Sequence, residues 1–154
     1  MNNDRLKFRA WHKTEKKMYE VDSICPYEDE STKGGEVFLK GIEKKSFYFP
    51  EEVELGQCTG LKDRHGNLIY EGDIVRLHFK SDIKDDDFED LEVRYDDNFL
   101  CWVLYDKVHN FCDDTALGAD EFKSEDFEII GNINQGGIRN EQYECGVEVP
   151  AEVR

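Results

Sequence analysis

The sequence predicts a mainly β fold with minor α content: a small bent sheet or partly closed SH3-like barrel, with an N-terminal β-hairpin region before it. Three observations lead there. Short apolar runs alternate at a period of two, as Leu6, Phe8 and Ala10 do against Lys7, Arg9 and Trp11. Turn chemistry built on Gly, Asn and Asp interrupts the runs every ~8–15 residues. Finally, Glu71-Gly72-Asp73 breaks an extended stretch where a bulge or tight bend fits, and barrel closure needs such bends.

A chain of 154 residues suits one domain with at most a small appendage. It divides by character into a hairpin and variable region (1–56), a barrel-like core (57–133) and a flexible tail (134–154). Charged residues make up 36% of it, yet ten Phe and seven Tyr argue against disorder throughout. No apolar run approaches the ~20 residues of a membrane helix, and the N-terminus lacks the apolar centre of a secretory signal. A cytoplasmic protein without membrane contact is expected.

The formal net charge is −16. Phosphate attraction drives general binding to duplex DNA, so that mode is not expected. The charge suits solubility, and it also suits a surface offered to a basic partner or one that imitates nucleic acid. It is unevenly spread. Residues 1–20 carry six basic against three acidic residues, whereas residues 81–97 carry nine acidic against two basic. Such regions are suited to pair within one subunit or between subunits. The five cysteines are Cys25, Cys58, Cys101, Cys112 and Cys145, an odd and widely spaced set that reads as free thiols.

The elements follow in order. Residues 5–11 and 17–22 form a first hairpin, and a polar loop runs from Glu28 to Gly35. Val37, Phe38, Leu39 and Ile42 make a strand, as do Phe47, Tyr48 and Phe49, which Pro50 ends because it removes a ladder donor. Glu51 to Leu55 reads as a helical turn or the start of a strand. Gln57-Cys58-Thr59 is extended and ends at Gly60; Asp63-Arg64-His65-Gly66-Asn67 is a turn; Leu68-Ile69-Tyr70 resumes the strand. Gly72 and Asp73 then shape a bend, Gly72 relieving a steric problem and Asp73 capping it. Ile74 to Phe79 is a strong strand and residues 80–90 an acidic loop. Leu91 to Tyr95 alternates, Asp96-Asp97-Asn98 turns, and Phe99 to Tyr105 reads as a strand covered on both faces. A short helix is expected near 119–124, and Phe127 to Ile133 is the final strand.

Four blocks carry a resemblance: Lys7-Phe8-Arg9-Ala10-Trp11, Lys17-Met18-Tyr19-Glu20-Val21, the whole of Gln57 to Val75, and Ile130-Gly131-Asn132-Ile133. They resemble the YopX family of phage and prophage proteins. The central block, TGLKD–G–IYEGDIV, is the specific one. The resemblance implies a mobile-element origin in a bacterial host, a cytoplasmic setting, a mainly β fold and self-assembly. It carries no established enzymatic role, so no catalytic residue transfers.

The constellations of chemical residues each have a plainer reading. Cys101, His109 and Cys112 offer zinc-type donors but lack a fourth ligand and a short paired spacing. Asp85, Asp87 and Glu89 alternate as at the start of a calcium loop, but Asp90 stands where the turn glycine belongs and Asp96 replaces the bidentate Glu. Asp114, Glu121 and Lys123 loosely fit a metal-dependent nuclease, a match that arises freely among 36 acidic residues. Nothing places His12, His65, His78 or His109 beside a nucleophile. Gly34-Gly35 and Gly136-Gly137 are not phosphate loops. Arg5, Lys7, Arg9 and Trp11 could contact a single strand, against the global charge. Glu71 and Asp73 read chiefly as a backbone device, and secondarily as a carboxylate pair presented to a ligand.

The expectation is therefore a phage-derived accessory protein that self-assembles or binds another protein, without catalysis, cofactor or metal. The residues singled out, Gly60, Gly66, Gly72 and Asp73, are structural turns and bends. The alternatives are an acidic DNA mimic or decoy that blocks a host DNA-binding or restriction protein, and an enzyme of unrecognised type. A pocket lined by several of Asp73, His78, Glu92 and His109 would favour the enzyme.

Overall fold

Eleven strands build two antiparallel sheets in a computed structural model that describes residues 3–26, 34–79, 87–106, 111–117 and 123–135. The first sheet holds β1 (Phe8–His12), β2 (Lys17–Pro26), β3 (Gly35–Leu39), β4 (Ser46–Phe49), β5 (Val53–Lys62) and β6 (Leu68–Tyr70), in the order β4-β3-β2-β1-β5-β6. The second holds β7 (Asp73–Phe79), β8 (Asp87–Asp96), β9 (Cys101–Asp106), β10 (Phe111–Ala116) and β11 (Phe127–Asn132), in the order β10-β9-β8-β7-β11. The mainly β expectation holds, but no barrel closes. The second sheet is an open meander whose last strand returns beside its first, leaving β10 and β11 as separate edges.

The period of two explains the packing. In β3, Gly35, Val37 and Leu39 are buried and the residues between them are not. Val37 and Leu39 join Ala10, Phe47 and Val53 in one core. Val75, Leu77, Leu91, Val93, Leu104 and Phe127 form the second core. Ile69 belongs by hydrogen bonding to β6 but is fully buried in the second core. Each such aliphatic side chain contributes roughly 1.5–3 kcal/mol, so Ile69 ties the edge of one sheet to the body of the other.

The structure corrects several boundaries. β5 does not stop at Gly60. It continues to Lys62 through a bulge, with Gly60 at φ +84° and the β5–β6 register shifted between Cys58 and Lys62. Residue 57, expected to open a new unit, lies inside β5, and the passage from one sheet to the other comes at Glu71-Gly72. The last four residues of the expected acidic loop are strand: Asp87, Phe88, Glu89 and Asp90 belong to β8 and pair with β7. The Phe99–Tyr105 run is not one strand covered on both faces. Phe99 and Leu100 sit in the β8–β9 turn, 63% and 73% exposed, and β9 begins only at Cys101. A turn of 3-10 helix forms at Ser124–Asp126, whereas residues 118–122, most of the expected helix, lie outside the described residues, as does the tail beyond 135.

Candidate functional site

Two polar junctions hold the sheets together. At the first, Arg9 leaves β1 and places Nη2 2.5 Å from Asp73 Oδ1, at the start of β7. The same nitrogen donates to the Glu71 carbonyl at 3.2 Å, and the guanidinium lies 4.8 Å from the Tyr70 ring centroid. Tyr70 N–H donates to Asp73 Oδ2 at 2.8 Å, the bend-capping contact, and the Asn132 side chain adds a further bond. Asp73 is 1% exposed. Burial pushes its carboxyl up, while Arg9, Tyr70 N–H and Asn132 pull against that. Gly56 faces Arg9 across the β1–β5 pair, and a Cβ there would stand 2.9 Å from the Glu71 carbonyl. The missing side chain lets the strand and the bend approach. Gly72 has φ +80°; its N–H donates to the Val93 carbonyl and its own carbonyl accepts from Ile133 N–H, both at 2.9 Å.

At the second junction, the 63–67 turn that contains Gly66 closes on β11. Asp63 accepts from His65 N–H, Asn67 N–H, the Asn67 side-chain amide and Ile129 N–H. Burial pushes its carboxyl up, but these bonds outweigh it and hold Asp63 below the usual carboxylate range. Arg64 Nη2 donates to the Glu125 carbonyl at 2.9 Å. His65 and His78 approach opposite oxygens of Glu128, at 3.7 and 3.4 Å.

Between the junctions and the β8–β9 turn lies an open depression of about 580 Å³, lined among others by Arg5, Gln57, Glu71, Tyr95, Leu100 and Trp102. Tyr95 and Trp102 face each other across β8 and β9, their rings edge-on at 5.1 Å. Leu100 is presented by a left-handed backbone, φ +53°. Burial pushes the Glu71 carboxyl up and Asp97 adds to this, opposed by a hydrogen bond from Gln57 N–H. Among the described residues Glu71 forms no ion pair. The two carboxylates flanking Gly72 are thus divided: Asp73 turns inward to Arg9, and Glu71 faces the depression.

Other candidates separate in space. Glu92 binds Arg94 at 2.7 Å and His78 lies on Glu128, so neither lines the depression; His109 lies outside the described residues. Asp85 and Glu121 are also outside them, and Asp90 is held by Arg76 at 2.7 and 2.9 Å. No group of three or more metal-type side chains is placed to hold an ion among the described residues. Of the basic N-terminal set, Trp11 is 6% exposed, Arg9 is committed to Asp73, and Lys7 pairs with Asp4 at 2.8 Å. Lys7 and Arg9 at the positive end thus find their partners at Asp4 and Asp73. His12 packs edge-on against Phe47 at 4.8 Å. The sequence reading missed Tyr95, Leu100 and Trp102. The available signal was the apolar pair Phe99-Leu100 directly after three turn-forming residues.

A family model described as YopX protein matches residues 7–136. Among solved structures, the chain is similar to the crystal structure of protein EF1440 from Enterococcus faecalis, at 26% sequence identity and a TM-score of 0.48, covering 84% of this chain and 93% of that one. No curated protein matches.

Proposed function

This chain belongs to the YopX family, and from that premise we propose that it is a non-catalytic accessory protein of a phage or prophage. It works in the bacterial cytoplasm by binding another protein. The observation that carries the reading is the β8–β9 tip: Tyr95, Phe99 and Leu100 are 42%, 63% and 73% exposed beside a depression, on a chain of net charge −16. Apolar side chains grouped this way at one end of a sheet suit a contact surface. A basic partner fits the charge, which also fits the decoy alternative.

Affinity capture from host lysate tests this with the wild type and a Phe99→Ser/Leu100→Ser variant, beside light scattering of each. The reading expects one protein retained by the wild type and lost by the variant. Self-association is the second reading, favoured by the same exposed tip, and light scattering would show it as a mass above 18.0 kDa that the variant abolishes. A wild type that is monomeric and retains nothing would sink both.

A further inference from the structure

We propose that the depression is a seat for one lysine or arginine side chain carried on an apolar segment of a partner protein, with Glu71 as counter-ion and Leu100 and Trp102 as the apolar wall. The proposal rests on the reading that the chain acts by protein association, and it names what the contact surface recognises.

Glu71 supplies the charge. It is half-buried, fixed by Gln57 N–H, and has no cation of its own among the described residues. A carboxylate kept from water is relieved by an opposite charge that displaces the remaining solvent. The wall supplies the rest. Arginine and lysine lay their methylene stems on apolar surface and their charge near aromatic rings, and Tyr95 and Trp102 stand together at 5.1 Å. About 580 Å³ suits one long side chain with an apolar neighbour rather than a folded domain.

Charge selects the occupant. Two copies at −16 each repel at long range, whereas a basic segment is steered in. Arg5 shares the lining. Exposed Leu100 then meets an apolar residue beside the incoming cation.

The test titrates the full chain with the capped peptide acetyl-Leu-Arg-Leu-amide, followed by ¹H–¹⁵N NMR. The control peptide carries citrulline, which keeps the shape of arginine without its charge. The expected result is saturable shifts at Glu71, Leu100 and Trp102, with Kd of about 1 mM for so small a probe. The citrulline peptide should bind about tenfold more weakly, since a charged hydrogen-bond pair is lost. Glu71→Gln should weaken the arginine peptide by a similar factor and leave the citrulline peptide unchanged. No saturation by about 10 mM, equal binding of the two peptides, or shifts centred on Asp87, Glu89 and Asp90 in β8 would each overturn the proposal. A protein partner captured through Phe99 and Leu100 without any arginine preference would leave the association reading standing and remove the Glu71 seat. A dimer broken by Phe99→Ser/Leu100→Ser, with no arginine preference, would make a second copy the occupant instead.

Discussion

Arg9 in β1 and Asp73 in β7 meet at 2.5 Å, each the first strand of its own sheet, and no other ion pair among the described residues joins β1 to the second sheet. The contact spans 64 residues of sequence and lies beside the Glu71 seat, because Arg9 Nη2 also binds the Glu71 carbonyl. It thus fixes both how the sheets join and where Glu71 points.

Removing Arg9 alone should be costly in a pH-dependent way. Arg9→Met leaves a buried carboxylate without its cation, a loss of about 3 kcal/mol near neutral pH. Burial already pushes Asp73 up, and losing Arg9 removes the strongest opposing pull. A carboxyl raised in the folded state contributes stability below its unfolded pKa and loses it as pH rises through the folded pKa. The Arg9→Met deficit should therefore shrink toward acid and grow toward neutrality in urea titrations. Adding Asp73→Asn should return most of the loss at neutral pH, since no buried charge remains. A double variant no more stable than Arg9→Met would show that the pair is not coupled.

Asp63 should behave with the opposite sign. Its carboxyl is held below the usual range by four hydrogen bonds, one of them from Ile129 in β11. Its contribution is present above about pH 4, the unfolded value, and is lost as pH falls through the lower folded value. Asp63→Ala should cost about 2–3 kcal/mol at neutral pH, because Ile129 N–H loses its acceptor and the turn loses its brace. The gap between wild type and variant should narrow as pH falls through the lower folded value. A gap independent of pH would assign the loss to packing instead.

The elements were legible in the sequence wherever local chemistry decides them. The hairpin of β1 and β2, the 63–67 turn, the Gly72 bend and the alternation in β8 each rest on residues within a few positions of one another. What was not legible depends on distant partners. Arg9 reads as a solvent-facing cation until Asp73 is brought beside it, and the secondary reading of Glu71 and Asp73 as one carboxylate pair gives way because Gly72 sends them apart. Phe99 and Leu100 read as the start of a buried strand, because an apolar run predicts burial and only the turn geometry shows that nothing covers it. Gly60 read as a strand end because a bulge and a terminus share the same glycine.

Glycine replacements should separate backbone cost from crowding. Gly66 and Gly72 have nearly equal φ, +83° and +80°. A Cβ at Gly66 meets nothing within 4 Å, whereas one at Gly72 meets Ile133 Cδ1 at 3.2 Å. Gly66→Ala should cost about 1–2 kcal/mol from the left-handed backbone alone. Gly72→Ala should exceed it, since the Ile133 side chain must also give way. Equal losses in urea midpoints would mean that residue 133 yields freely.

Leu100 gives the sharpest link between stability and binding. It is 73% exposed, so it gains little from burial, and it holds φ +53°, a region that disfavours a leucine. Lys44, also exposed, holds φ +60° in the β3–β4 turn and serves as a control far from the depression in sequence and sheet. Asparagine tolerates this conformation better. Leu100→Asn and Lys44→Asn should each raise stability by about 0.5–1 kcal/mol in thermal or urea unfolding. Only Leu100→Asn should weaken the arginine peptide and the captured partner. That outcome would place the strain of Leu100 in the service of binding, because a more stable variant would bind less well. If Leu100→Asn binds as tightly as wild type, the leucine is a surface residue without a share in the contact, and the apolar wall must be Trp102 and Tyr95 alone.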